Sequence, residues 1–298
     1  MARVHVTRRL PARVEDELAA SFELVTAPDG VDGLLVNPGD PVDAALLDRG
    51  GPSLRVVANF GVGYDNVDLA AATERGVVVA NTPDVLTEAT AELTIALLLA
   101  LLRRVAEGDR LVRRRDPWRL DPTFMLGRGL RGLRLGVVGM GRIGREVARL
   151  AEAHGMEVVP VGRGELDRLA DVDVVTLHVP LRPETRHLVD AAVLARLRPG
   201  TVLVNTSRGL VVDEVALVAA LEEGPLAGAA LDVFEHEPDV HPGLLGREDV
   251  VLTPHLGSAT QEAREAMGML CVEALRDVLL DRRTPRHALN PEAVASGL

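Results

Sequence analysis

Short runs of β-branched and other apolar residues alternate along this chain with stretches whose apolar positions recur every three or four residues. The runs fit strands buried on both faces, and the second pattern fits amphipathic helices. Their alternation predicts parallel sheets joined by crossover helices. The first series comprises RVHVT, FELVT, GLLVN, LRVVANF and GVVVAN, with the helical patterns RVEDELAASF and VDLAAATERG between some of them. From Thr87 to Arg115 the pattern predicts one long helix, polar at both ends and apolar in its middle. A second series follows Trp118: RLGVVGM, EVVPVG, DVVTLHV, TVLVNTS, LAGAALDVF and VVLTPH, with REVARLAEAHG and VDEVALVAALEEG among its helices. A last helix is expected from Gln261 to Leu280. The two series predict an α/β protein of two doubly wound parallel-sheet domains with a cleft between them. Ligands of such sheets bind beyond the carboxyl ends of the strands, so functional residues are sought in the loops that follow strands.

With 298 residues, 47% of them hydrophobic, the chain can bury a large core. The net charge of −11 argues against a nucleic-acid partner. An anionic small molecule stays possible, because a few local arginines set the field inside a site. The sequence has no lysine, which excludes Schiff-base chemistry through that residue. The single cysteine, Cys271, excludes an intrachain disulfide framework and fits a reducing, cytoplasmic setting. The N-terminal stretch lacks the apolar core of a secretory signal. The run Leu93 to Leu102 is too short to span a bilayer, so no membrane association is expected.

Within GVVGMGRIGREVARL, Gly139, Gly141 and Gly144 are spaced as GxGxxG. The motif alone is weak, since many glycine turns only join a strand to a helix. Here an apolar strand precedes it and a helical pattern follows, the context of a pyrophosphate-binding turn. The N–H groups of Arg142 and Ile143 would open the helix toward the phosphates. The next strand ends in Gly162-Arg163 where an NAD site places an acidic residue. A guanidinium there would favour the 2′-phosphate of NADP(H), with NAD(H) still possible. Three later strand ends carry polar clusters, NTSRG, LDVFEHEP and TPHLGSAT. Reducing a 2-keto acid requires a cation for its carboxylate, a proton donor for its carbonyl oxygen, and a group that keeps the donor charged. Arg208, His255 and Glu237 can take these roles in that order. Taken singly, each also has an ordinary reading as a surface ion-pair partner, a hydrogen-bonded histidine or a solvated carboxylate.

Together, NFGVGYDNVD, NTPDVLTEATAEL, GVVGMGRIG, LHVPLRPETRHLV, LVNTSRGLVVDEVAL, LDVFEHEP and TPHLGSAT resemble the D-isomer-specific 2-hydroxyacid dehydrogenase family, and within it the glyoxylate and hydroxypyruvate reductases. The resemblance implies a Rossmann cofactor domain (92–272) and a flavodoxin-like substrate domain built from both chain ends (1–91 and 273–298). It implies hydride transfer between NAD(P) and a small D-2-hydroxy or 2-keto acid in a cytoplasmic homodimer. By the same resemblance, Arg208 clamps the substrate carboxylate with help from the backbone of Val62 and Gly63. His255 exchanges the proton, paired with Glu237, whose charge favours the imidazolium. Asp232 holds the nicotinamide amide, Thr206, Val179 and Pro180 contact the cofactor, and Thr90 lies near its phosphates.

The sequence also departs from the family pattern. About ten residues separate Arg163 from the next strand, which leaves no room for the usual edge strand and helix. TAPDGVDGLLV leaves no helix between two strands of the first domain. Leu120 stands where glyoxylate reductases often have a tryptophan, with Trp118 nearby. Other substrates of the same family (3-phosphoglycerate, a sugar acid, phosphite) and a non-enzymatic NAD(P)-sensing corepressor are the alternative readings. His236 and His241 match no familiar metal-ligand spacing, and no metal is expected.

Overall fold

A computed structural model describes residues 1–296 and divides the chain into two compact units, Met1–Leu86 with Ala259–Leu298, and Thr87–Ser258. In the first unit five parallel strands run in the order β2-β1-β3-β4-β5: β1 (Arg3–Val6), β2 (Glu23–Val25), β3 (Gly33–Val36), β4 (Val56–Asn59) and β5 (Val78–Ala80). This is the flavodoxin-like order. Every residue of β3, β4 and β5 is buried, as expected of strands covered on both faces. The helices are α1 (Ala12–Ser21), α2 (Ala44–Gly50), α3 (Leu69–Glu74) and, from the far end of the chain, α9 (Gln261–Leu279). No helix separates β2 from β3.

The unit boundaries fall at 86/87 and 258/259 rather than at the expected 91/92 and 272/273. The reason is α9, which packs over β3, β4 and β5 and against α1. Its Leu275 reaches so close to Gly33 that a Cβ there would lie 2.8 Å from the leucine side chain. The fold thereby keeps the whole helix with the first sheet.

The second unit carries six parallel strands in the order β11-β10-β9-β8-β6-β7. They are β6 (Arg134–Val138), β7 (Glu157–Val161), β8 (Val174–Leu177), β9 (Thr201–Asn205), β10 (Leu226–Leu231) and β11 (Val250–Leu252). From β6 the chain first builds outward to β7, then returns to place β8 on the other side of β6, so the topological switch point lies between β6 and β8. Only a six-residue 3-10 segment, Leu166–Asp171, lies between β7 and β8, and β7 is left at an edge of the sheet. Helices α4 (Thr87–Leu102), α5 (Val105–Arg114), α6 (Arg142–Ala153), α7 (Ala191–Leu194) and α8 (Glu214–Glu222) complete the unit. Among the described residues no helix is long and apolar enough to cross a membrane.

The single helix expected over 87–115 is in fact two. It breaks at Arg104, whose φ of 55° lies in the left-handed region, a cost of about 1–2 kcal/mol for a non-glycine residue. Two contacts offset that cost. The Leu102 carbonyl, which would continue the helix ladder, accepts the Arg128 N–H at 2.9 Å. The Arg104 guanidinium holds both Glu107 oxygens, at 2.7 and 2.6 Å. α4 is buried through Ile95, Leu97, Leu98 and Leu102, whereas α5 buries none of its residues.

Candidate active site

The polar strand-end clusters follow the neighbouring strands β9, β10 and β11, and all but Ala259 and Thr260 of the last belong to the second unit. His255 Nδ1 lies 2.7 Å from Glu237 Oε2. The other Glu237 oxygen accepts the Phe234 N–H at 3.0 Å. Burial pushes the Glu237 carboxyl up, but the His255 hydrogen bond and charge, the Phe234 N–H and the nearby Arg208 charge outweigh it. The carboxyl is held below its ordinary value, so Glu237 is ionised at neutral pH. Arg208 is half-buried, with its carbonyl accepting from the Asn205 amide at 2.9 Å and its Nη1 donating to the Ser207 carbonyl at 2.8 Å. A carboxylate, an imidazole and a guanidinium thus stand together, the set needed to bind an anion and to deliver a proton beside it.

The loop carrying His255 is organised by Asp232, which is fully buried. Its Oδ1 accepts from the Thr253 hydroxyl (2.6 Å) and the Leu256 N–H (2.7 Å), and its Oδ2 accepts from the Gly257 N–H (2.8 Å). The Asp232 carbonyl also accepts the His255 N–H at 2.9 Å. His255 has a φ of 54°, a left-handed conformation that persists only where surrounding bonds over-determine it. Thr90 donates to the Gly257 carbonyl at 3.0 Å, and Thr94 links Thr90 to Thr206 through bonds of 2.8 and 2.9 Å. The start of α4 and the ends of β9 and β11 are tied together in this way.

The glycine turn lies after β6. Gly139 has a φ of 95°, and a Cβ on it would meet Val179 at 2.8 Å. A Cβ on Gly144 would lie 2.0 Å from the Gly139 carbonyl oxygen, so the helix can start this close to the strand only with glycine there. Nothing stands within 4 Å of a Cβ built on Gly141, and no side chain caps the helix. The opening of α6, at Arg142 and Ile143, is therefore a cradle into which a phosphate group fits. Val179, half-buried, and Pro180, exposed, follow β8 beside the turn.

At the end of β7 the structure corrects the sequence reading. Arg163 is exposed there, but the strand end does not lack a carboxylate: Glu165 folds back and its Oε2 accepts the Gly162 N–H at 2.8 Å. Arg168 Nη1 lies 3.5 Å from the same oxygen. A tight turn, in which the Glu165 N–H donates to the Gly162 carbonyl at 3.2 Å, brings the acid back from three residues downstream, which strand-end position alone does not reveal.

Comparison with known proteins agrees with this geometry. A family model described as D-isomer specific 2-hydroxyacid dehydrogenase, NAD binding domain, matches residues 95–257. The glyoxylate reductase of Thermococcus litoralis is 44% identical over 265 residues, covering 82% of this chain and 80% of the relative. The chain belongs to the D-isomer specific 2-hydroxyacid dehydrogenase family. The glyoxylate reductase of Korarchaeum cryptofilum is 43% identical, covering 92% of this chain and 91% of its own. An NADPH-dependent glyoxylate/hydroxypyruvate reductase of Sinorhizobium meliloti, solved with NADP and malonate, superposes with a TM-score of 0.86 at 37% identity, covering 98% of both chains. As a member of this family, the protein is an NAD(P)-dependent oxidoreductase acting on a small 2-hydroxy or 2-keto acid.

Several residues of this dehydrogenase site escaped the sequence reading. A Cβ on Gly209 would lie 1.9 Å from the Phe234 carbonyl carbon, so the Arg208 loop touches the Glu237 loop backbone to backbone. The glycine directly after Arg208 was the available signal. Glu214 and Glu235 form a reciprocal clamp: Glu235 N–H donates to Glu214 Oε1 at 2.8 Å, and Glu214 N–H to Glu235 Oε1 at 3.0 Å. This fixes the loop of Glu237 to the start of α8. His178, whose Nε2 lies 2.9 Å from the Thr176 hydroxyl, is pushed down to about 3 by burial and stays neutral beside the glycine turn. Val62 and Gly63 are in the first unit, in the loop after β4.

Proposed function

We propose that this dehydrogenase reduces glyoxylate and hydroxypyruvate, with His255 as proton donor. The observation that carries this reading is the 2.7 Å contact between His255 and an ionised Glu237 within reach of the Arg208 charge. Arg208 binds the substrate carboxylate, and the backbone of Val62 and Gly63 offers donors to the same group. Glu237 accepts from Nδ1 and so orients the His255 ring, leaving Nε2 to donate to the developing alkoxide. In the reverse direction the same nitrogen accepts the proton. The nicotinamide, when bound, supplies or takes up the hydride. The glycine turn, Arg142 and Ile143 would hold its pyrophosphate, with Thr90, Val179, Pro180, Thr206 and Asp232 around the rest. The substrates are those named for the Thermococcus, Korarchaeum and Sinorhizobium relatives.

The preferred cofactor in this reading is NADP(H), with NAD(H) also accepted. Arg163 supports the preference, and Arg168 supports it further by blunting the charge of Glu165. The NADP complex of the Sinorhizobium relative points the same way. We further infer a homodimer working in the cytoplasm. Exposed apolar side chains gather on α5 and the segment after it: Val105, Val112, Trp118, Phe124, Leu126, and Leu120 at 97% exposure. An apolar patch of this kind marks an interface.

The test is the loss of reduced-nicotinamide absorbance with glyoxylate, hydroxypyruvate and larger 2-keto acids, each paired with NADPH and NADH. Fastest turnover is expected with NADPH and one of the two small acids. Equal efficiency with NADH would remove the cofactor preference, and faster turnover of a larger acid would replace the substrate assignment.

A further inference from the structure

In the loop after β4, three consecutive carbonyls are each taken by a donor of the unit's own interior. Gly61 O accepts the N–H of Thr82, a fully buried residue, at 3.1 Å. Val62 O accepts Asn81 Nδ2 at 2.8 Å. Gly63 O accepts Asn59 Nδ2 at 2.7 Å, and Asn59 is fully buried at the end of β4. The Asn59 amide is itself oriented, because its Oδ1 accepts from Asn66 Nδ2 at 3.2 Å. Asn66 is anchored in turn on the carbonyls of Asn37 (3.2 Å) and Asp40 (2.9 Å). Gly61 is pressed against Pro38, where a Cβ would lie 2.6 Å from the ring.

A trans peptide is planar, with the N–H of each residue antiparallel to the carbonyl before it. Turning the carbonyls of Gly61, Val62 and Gly63 inward therefore turns the N–H groups of Val62, Gly63 and Tyr64 outward. Among the described residues none accepts from these three N–H groups. Successive outward N–H groups form an anion-binding nest. We propose that Asn81 and Asn59 are positioning residues that hold this three-donor nest, with Tyr64 N–H as its third member, in register for the carboxylate of the substrate. The inference rests on the reading of the protein as a 2-keto acid reductase. It adds the third donor and the two amides that aim all three.

The test uses Asn81→Ala in the full chain, with Asn81→Ser as a second, smaller change. Without the amide the Val62 carbonyl loses its donor and the Gly63 N–H is no longer held outward. KM for glyoxylate is expected to rise about 10-fold in Asn81→Ala, with kcat largely retained. The preference for glyoxylate over its methyl ester, which lacks the charge, should fall by a similar factor. A merely structural role would lower kcat for acid and ester alike and leave that ratio unmoved. Calorimetric binding of oxalate, an unreactive carboxylate, gives a readout that needs no turnover, and its affinity should weaken by the same factor. Oxalate affinity and the acid-to-ester ratio unchanged in both variants would overturn the nest. A wild-type chain that reduces no 2-keto acid, yet binds oxalate with an affinity that falls in Asn81→Ala, would overturn the substrate reading and leave the nest standing.

Discussion

Glu237 shows how one carboxylate can set the working range of a site. Burial alone would neutralise it, but the contacts from His255, Phe234 and Arg208 hold its carboxyl below the ordinary value. The sign follows from linkage. For a depressed carboxyl the stabilisation is fully present above the ordinary pKa and is lost as pH falls through the lowered one. The His255–Glu237 pair should thus survive mild acid and be lost only as pH falls through the lowered Glu237 carboxyl. Replacing Glu237 by Gln removes the carboxylate that holds His255 through Nδ1. We expect kcat for reduction to fall on the order of 100-fold. A variant whose kcat matches the wild type would show that Glu237 does not act through His255.

The two parallel sheets could be read from the apolar runs because their inner strands, such as β3, β4, β8 and β9, are buried on both faces and need little beyond their own sequence to be recognised. The glycine turn was legible for a similar reason, since Gly139 and Gly144 are required by local backbone geometry. Arg208, Glu237 and His255 stood out as polar residues directly after buried strands. What the sequence hid depends on contacts between distant segments. The break between α4 and α5 is made by the Arg128 N–H, 26 residues beyond the Leu102 carbonyl it bonds, since 128 − 102 = 26. Glu165 is a local exception, brought to the end of β7 by the tight turn that its own N–H closes on the Gly162 carbonyl. The Glu214–Glu235 clamp joins residues 21 apart in sequence. Asn59 and Asn81 look like ordinary strand-end amides until the carbonyls they hold are known.

The protein carries a net charge of −11, so attraction of an anionic acid must come from local groups such as Arg208 and backbone N–H donors rather than from the field of the whole chain. The same composition makes the apolar surface on α5 and residues 116–126 conspicuous. If this face joins two copies, sedimentation of the wild type should give a dimer, and Leu120→Asp combined with Val112→Asp should give a monomer with its secondary structure intact. A double variant that still sediments as a dimer would place the interface elsewhere. The central claim, that His255 delivers the proton in 2-keto acid reduction, is tested most directly by comparing glyoxylate turnover with NADPH in the wild type and in His255→Gln. The account predicts a fall in kcat of at least about 100-fold, with NADPH affinity unchanged. Near-normal reduction by the variant would contradict it.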